Sequence, residues 1–160
     1  MIAVGASTRR WAFFCAVAAL AIAAALRQTT VLEVENDSRG SASLVPLPEG
    51  APFSVTSRHS MYDAAVTEEF VVDREGRIAL RSVSSPSAAV REYFGITALG
   101  ERHAIERAME RIIFRVAMGA PQRLVVGGRE RSFLEFGDRG DRLVMRAVHR
   151  PALARWLRGS

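Results

Sequence analysis

The sequence predicts a mainly β protein: an antiparallel β-sandwich or partly open barrel with one short helix, preceded by an N-terminal apolar helix. Three observations carry this. Past Gln28, turn-forming residues recur every eight to twelve positions, the runs between them alternate apolar and polar side chains, and two turns contain glycine where a hairpin needs it.

The first element is a leader. Arg9 and Arg10 precede an unbroken 16-residue apolar run from Trp11 to Leu26, half of it alanine, with Ala23-Ala24-Ala25 at its exit. This is the layout of a secretory signal cleaved after Ala25. A spanning helix needs about 20 predominantly apolar residues, so a retained anchor is the less favoured alternative. Thr8-Arg9-Arg10 resembles the start of a twin-arginine signal, but Ala12 stands where a large apolar residue belongs. The organisation expected is a signal peptide or N-terminal anchor over residues 1–25, a single β domain over 28–149 and a basic tail over 150–160. That domain is large enough for one core and too small for two.

Thr30 to Glu35 reads as the first strand, Asn36 to Gly40 as a turn, and Ala42 to Leu47 as a second strand. Pro46 cannot donate to a ladder, so this second strand belongs at a sheet edge. Pro48-Glu49-Gly50 closes the unit. From Pro52 to His59, alternation puts Phe53, Val55, Ser57 and His59 on one face and Ser54, Thr56 and Arg58 on the other.

Asp73-Arg74-Glu75-Gly76 suits a type I turn with Gly76 in the left-handed position of a G1 bulge. That register pairs Val72 with Ile78, Phe70 with Leu80 and Glu68 with Ser82, and sets Glu69 opposite Arg81. Pro86 to Phe94 reads as a short helix ending at Gly95. From Glu101 to Val116 two periods compete. Ile105, Met109, Ile112, Ile113 and Val116 fit a helix face, whereas Ile112, Phe114, Val116 and Met118 alternate as a strand. The expectation is a helix near Glu101 to Glu110 running into a strand from Arg111 to Ala117. Gly127-Gly128 then marks a hairpin between Arg123–Val126 and Arg129–Phe136, and Arg142 to His149 supplies the last strand.

The stretch LEVENDSRGSASLVPLPEGAPFSVTSRHSMYDAAVTEEFVVDREGRIAL resembles a bacterial family known as a domain of unknown function, number eighteen-fifty. The resemblance is carried by Phe53, His59-Ser60, Glu68-Glu69 and Arg77 to Leu80, and farther on by Arg91-Glu92-Tyr93-Phe94-Gly95 and Arg123 to Gly128. After Val83 the chain departs from it: where many relatives carry a glycine-rich segment, Ser84-Ser85-Pro86-Ser87-Ala88-Ala89 stands here. The resemblance implies a small exported β domain, often encoded beside tripartite solute transporters of the TRAP type with TAXI-class binding proteins. It implies no established activity.

Several function classes are disfavoured by composition and spacing. The formal charge of +5 falls by two when Arg9 and Arg10 leave with the leader, and the remaining charges are interleaved with acids, which is no nucleic-acid footprint. All 22 basic residues are arginine, and Cys15, the single cysteine, lies inside the leader, so the mature domain has no disulfide. His59, His103 and His149 have no zinc-ligand spacing, and neither a metal nor another cofactor is expected. Arg139-Gly140-Asp141 spells an integrin-binding tripeptide, yet Asp138 before it and Arg142 after it fit an ordinary β-turn.

The constellation that invites a chemical reading is His59 with Glu68. A hairpin across Ser60 to Thr67 that sets His59 against Glu68, Ser57 against Phe70 and Val55 against Val72 keeps all apolar side chains together. The carboxylate would then fix the imidazole tautomer. A hydrogen-bonded pair at the rim of the sandwich is the plainer use of the same two groups. Ser60 points to the opposite face, so a Ser-His-Glu triad would require a bulge. His59, Ser60, Glu68 and Glu69 are the candidate binding residues; no residue is assigned as catalytic. The expected function is a non-enzymatic accessory or binding module in the periplasm or elsewhere outside the cytoplasm, associated with a TRAP-type transporter. It contacts the inner membrane through its N-terminal segment if that is retained. The alternative is a small periplasmic hydrolase or isomerase using His59 and Glu68 as an acid–base pair.

Overall fold

A computed structural model describes residues 11, 13–19, 28–48, 50–73, 75–96, 100 and 102–151. The expectations for leader cleavage or anchoring and for the basic tail fall largely or wholly outside these residues. Among the described residues no helix is long and apolar enough to cross a membrane. Thr30–His149 form one compact unit, and Met1–Thr29 with Arg150–Ser160 a second.

Among the described residues from 28 onward, ten strands and one α-helix follow in order: β1 (Gln28–Asn36), β2 (Ser41–Pro46), β3 (Phe53–His59), β4 (Ala64–Val72), β5 (Ile78–Ser84), α1 (Ala88–Tyr93), β6 (Arg102–Met109), β7 (Ile112–Arg115), β8 (Arg123–Val126), β9 (Arg129–Ser132) and β10 (Arg142–Pro151). They build two antiparallel sheets that do not close into a barrel, a four-stranded one in the order β2-β1-β10-β7 and a six-stranded one in the order β6-β5-β4-β3-β8-β9. One apolar core lies between them. Leu32, Val34, Val45, Leu143 and Met145 come from the small sheet; Phe53, Val55, Phe70, Ile78, Leu80, Val83 and Leu124 come from the large one. Phe53 and Phe70 stack at 5.2 Å between ring centroids, adding directional aromatic contact to their burial. The fold is thus the mainly β, two-sheet architecture that the turn spacing predicts.

Local chemistry explains the turns. β2, which carries Pro46, is an edge strand, so the missing N–H interrupts no ladder. Gly76 sits at φ 79°, its N–H donates to Asp73 O at 3.1 Å, and Val72 pairs with Ile78 and Phe70 with Leu80 as the bulged turn requires. Gly127 and Gly128, at φ 56° and 75°, give the two positive angles of a type I′ turn, with Val126 opposite Arg129. α1 begins at Ser87, whose side chain accepts from Val90 N. It ends in a Schellman motif, with Ile96 N donating to Arg91 O at 2.9 Å and Gly95 N to Glu92 O at 2.8 Å. Val90, fully buried, fixes α1 to the core.

Four expectations are corrected. Residues 102–109 form a strand, not a helix: β6 pairs along β5, from Ile78 with Met109 to Ser84 with Arg102. The ladder donors and acceptors of β5 outweigh the weak helical period of an arginine-rich segment. Residues 133–135 form a 3₁₀ turn, so the strand expected over Arg129–Phe136 stops at Ser132. There a capping box joins Ser132 and Glu135.

The third correction concerns β4 and β5. The register shifts after Glu69, so Glu69 faces Ser82 and Glu68 faces Val83; the predicted Glu68–Ser82 and Glu69–Arg81 pairs do not form. Strict alternation from Ile78 and Leu80 would expose Val83 and bury Ser82 in the core face. One extra residue at Arg81 turns Val83 inward, where it is fully buried, and leaves Arg81 to pair with Glu106 at 2.9 Å. The fourth is the β3–β4 register. His59 opposes Ala64, Ser57 opposes Val66, Val55 opposes Glu68 and Phe53 opposes Phe70, four residues from the register expected. The loop is Ser60 to Asp63, with Asp63 in the left-handed region at φ 48° and gripped in a two-pronged ion pair by Arg58.

Candidate binding cleft

The shift in the β3–β4 hairpin separates the two residues of the suspected dyad. Both stay on the inner face of the sheet, because a shift of four preserves side-chain parity, but Glu68 lies four residue positions down the ladder from His59, roughly 13 Å. His59 instead stacks on Tyr62 at 5.1 Å and meets Tyr93 edge-on at 4.8 Å. Its Nδ1 is buried and has no hydrogen-bond partner among the described residues. Ser60 is exposed in the turn. Glu69 points to the opposite face, where it accepts from Ser82 Oγ at 2.7 Å and pairs with Arg102. The Ser82 hydrogen bond, then Arg102, holds its carboxyl below the usual range. The four candidate residues therefore do not form one site.

Glu68 does face a site. A cleft of about 420 Å³ is lined by Glu68, Leu80, Tyr93, Phe94, Ile105 and Arg107. Its floor is the inner face of β4, β5 and β6, and the C-terminal end of α1 forms its wall. Three features of the chain place these groups. The bulge at Arg81 keeps Leu80 and Val83 on the inner face beside Phe70 and Glu68. Leu80 opposes Arg107 on β6, so the guanidinium belongs to the same face at the sheet's edge. The Schellman end of α1 presents Tyr93, Phe94 and Ile96 in succession, with Phe94 and Ile96 packed against the core.

The electrostatics of Glu68 differ from those of its neighbour. Glu68 sits in a row with the fully buried Val55 and Val83, partly buried itself, and no described residue gives it a hydrogen bond or an ion pair. Desolvation is the cause that raises its pKa from 4.5 to about 7, so both protonation states are accessible near neutrality. Arg107, exposed at the rim, is likewise without a hydrogen-bond or ion-pair partner among the described residues. The cleft thus holds one acid–base group, one fixed cation, a phenol and apolar walls. His59 does not line it, but its ring touches Tyr93, which does.

Sequence reasoning missed Arg107, Tyr93 and Phe94. A strand reading of residues 102–109 would have found Arg107, since His103, Ile105 and Met109 share its parity and a single arginine interrupts that half-buried row. No group of three or more potential metal ligands occurs among the described residues. The tripeptide Arg139-Gly140-Asp141 is spent on architecture. Arg139 Nη1 donates to Met118 O at 2.8 Å, Gly140 N donates to Val116 O at 2.8 Å, and Asp141 accepts from Asn36 Nδ2 at 2.8 Å.

No family model matches the chain, and no curated protein and no solved structure matches it.

Proposed function

We propose that this protein is an exported, non-catalytic accessory module that holds a small ligand in the Glu68 cleft and serves a solute transporter of the TRAP type. The single observation that carries the binding reading is the cleft itself: a carboxyl group with no partner among the described residues, desolvated by burial, in a space of about 420 Å³. Burying an unpaired polar group is costly, and the cost is recovered when a ligand supplies the missing partner. The described lining residues include no serine, threonine or cysteine beside a base, which favours binding over covalent chemistry. The transporter association is supported by the resemblance of residues 32–80 and of the later motifs, and export by the leader.

The test is affinity capture. The tagged full chain, expressed in a bacterium with its neighbouring genes, is expected outside the cytoplasm and to co-purify with transporter components after cross-linking. Repeated recovery of none of them, or a folded pool confined to the cytoplasm, would overturn the transporter reading. Mass spectrometry of the mature chain decides between cleavage after Ala25 and a retained anchor.

A further inference from the structure

The cleft holds an ionisable carboxyl and a fixed guanidinium that do not pair with each other. Glu68 stands on β4 and Arg107 on β6, so two strand spacings, roughly 10 Å, separate their backbones across the sheet, and the bulged registers add an offset of two to four residues, roughly 7 to 13 Å, along it. No ion pair joins them, and burial is the sole cause of the raised Glu68 pKa. Between them lie Leu80, almost wholly buried, and Ile105, with Phe94 and the Tyr93 ring along one side.

The geometry points to a small zwitterion with an apolar side chain, of the α-amino acid class, as the cleft's ligand, its ammonium on Glu68, its carboxylate on Arg107 and its side chain against Leu80, Phe94 and Ile105. This rests on the binding-module reading and names the ligand class of that same site. Each simpler ligand leaves a defect. A neutral apolar molecule would bury Glu68 further without giving it a donor. An amine alone satisfies Glu68 but sets its own charge near an unanswered guanidinium, and a carboxylate alone satisfies Arg107 but brings a second acid toward Glu68. A zwitterion answers both, its two ends held by charge-assisted hydrogen bonds in a cleft whose apolar surface comes from Leu80, Phe94 and Ile105. The aromatic edges of Tyr93 and Phe94 add contact for an aromatic or branched side chain.

Three probes of nearly one shape separate these cases: L-phenylalanine, phenethylamine, which lacks the carboxylate, and 3-phenylpropanoate, which lacks the ammonium. Calorimetric titration of the full chain near neutral pH is expected to give L-phenylalanine an affinity about tenfold or more above either half-probe, equivalent to about 1.4 kcal/mol or more for each charge-assisted contact. Glu68→Gln should bring L-phenylalanine down to the level of 3-phenylpropanoate, and Arg107→Gln down to the level of phenethylamine. Thermal melts of both variants, expected to keep a cooperative transition, separate lost binding from lost folding. Because the ammonium fixes Glu68 as carboxylate, binding at mildly acid pH should also release a proton, seen as a buffer-dependent heat.

Equal affinity for a half-probe, indifference of L-phenylalanine binding to Glu68→Gln, or no binding of any probe at millimolar concentration would overturn the ligand class. If transporter capture persists in that case, the module reading stands without this ligand. Conversely, conversion of bound L-phenylalanine to a new compound, followed by NMR, would overturn the non-catalytic reading and leave the ligand class intact.

Discussion

The corner around Asp141 and the cleft around Glu68 are built from the same kinds of side chain and use them in opposite ways. At the corner, Asp141 accepts from Asn36 Nδ2, from the Asp138 N–H and from Arg39, and Asn36 also donates to Phe136 O at 3.2 Å and takes the Ser38 N–H. The Asn36 hydrogen bond, then the Asp138 N–H, leads the contacts that hold the Asp141 carboxyl below its usual range. In the cleft, Glu68 has no such partners among the described residues and its pKa moves upward. Satisfied polar groups fix loops; unsatisfied ones hold binding capacity in reserve. Polarity alone does not mark a site. Asp141 belongs to the most recognisable tripeptide in the chain and is structural, whereas Glu68, half of a plain Glu-Glu pair, faces the cleft.

The comparison breaks most sharply at Gly137. A Cβ there would lie against Asn36 Nδ2, well inside contact distance, and only 3.0 Å from Asp141 Oδ2. Gly137→Ala should therefore force the corner open and leave a buried amide short of acceptors. The expected loss is about 3 kcal/mol, from overpacking and an unsatisfied donor together, measured as a lower denaturation midpoint at unchanged m-value. A stability within about 0.5 kcal/mol of the parent would mean that the corner yields freely and that its hydrogen bonds do not specify the loop.

Glu68 gives the opposite signature, in pH and not in packing. The native state retains a proton that the unfolded chain, with an ordinary carboxyl near 4.5, gives up between that value and about 7. This contribution is complete below the unfolded value and is lost as pH rises through the native one. Stability should fall by about 2 kcal/mol between pH 5 and pH 8, somewhat less than the full shift because the cleft admits solvent. Glu68→Gln should remove this dependence. Corner carboxylates such as Asp141 have lowered pKa values and act with the opposite sign, their contribution lost as pH falls into the acid range. A midpoint that changes equally with pH in the parent and the variant would place the titration elsewhere.

These two regions also differ in what the sequence makes legible. Gly76, Gly127-Gly128, Pro46 and the Ser87–Gly95 frame of α1 are readable because a positive φ, a missing N–H or a cap is a property of a few adjacent residues. The sandwich follows from counting such turns. Registers are less readable, because alternation fixes pairing only to the nearest even shift. His59 against Glu68 and His59 against Ala64 keep identical faces, and only the tight Ser60–Asp63 loop chooses between them. The bulge at Arg81 hides in the same way. It is visible as the three-residue step from Leu80 to Val83 once both are known to be buried, and not before. Residues 102–109 read as a helix because the spacing of Ile105 and Met109 satisfies both periods. The partner that settles the matter, β5, lies about 25 residues away in sequence. The cleft depends on all three of these features, so Glu68 could be named as a candidate from sequence while its surroundings could not.

Arg107 gives the smallest effect on stability and the finest test of the comparison. It is exposed, and among the described residues it has no hydrogen-bond or ion-pair partner, unlike Arg102 on the same strand, which pairs with Glu69. If arginines on β6 serve the fold, both substitutions should destabilise; if Arg107 is held for a ligand, the two should part company. Arg107→Gln is expected to change stability by less than about 0.5 kcal/mol, as for a solvated side chain with no partner. Arg102→Gln should cost slightly more, up to about 1 kcal/mol, because it removes an ion pair that is itself half in water. In ligand titrations the order should reverse, with Arg107→Gln losing the carboxylate contribution and Arg102→Gln, on the far face of the sheet, losing nothing. Equal behaviour of the two variants in both measurements would reduce Arg107 to ordinary edge-strand charge, of the kind that keeps an exposed β edge from pairing with another chain.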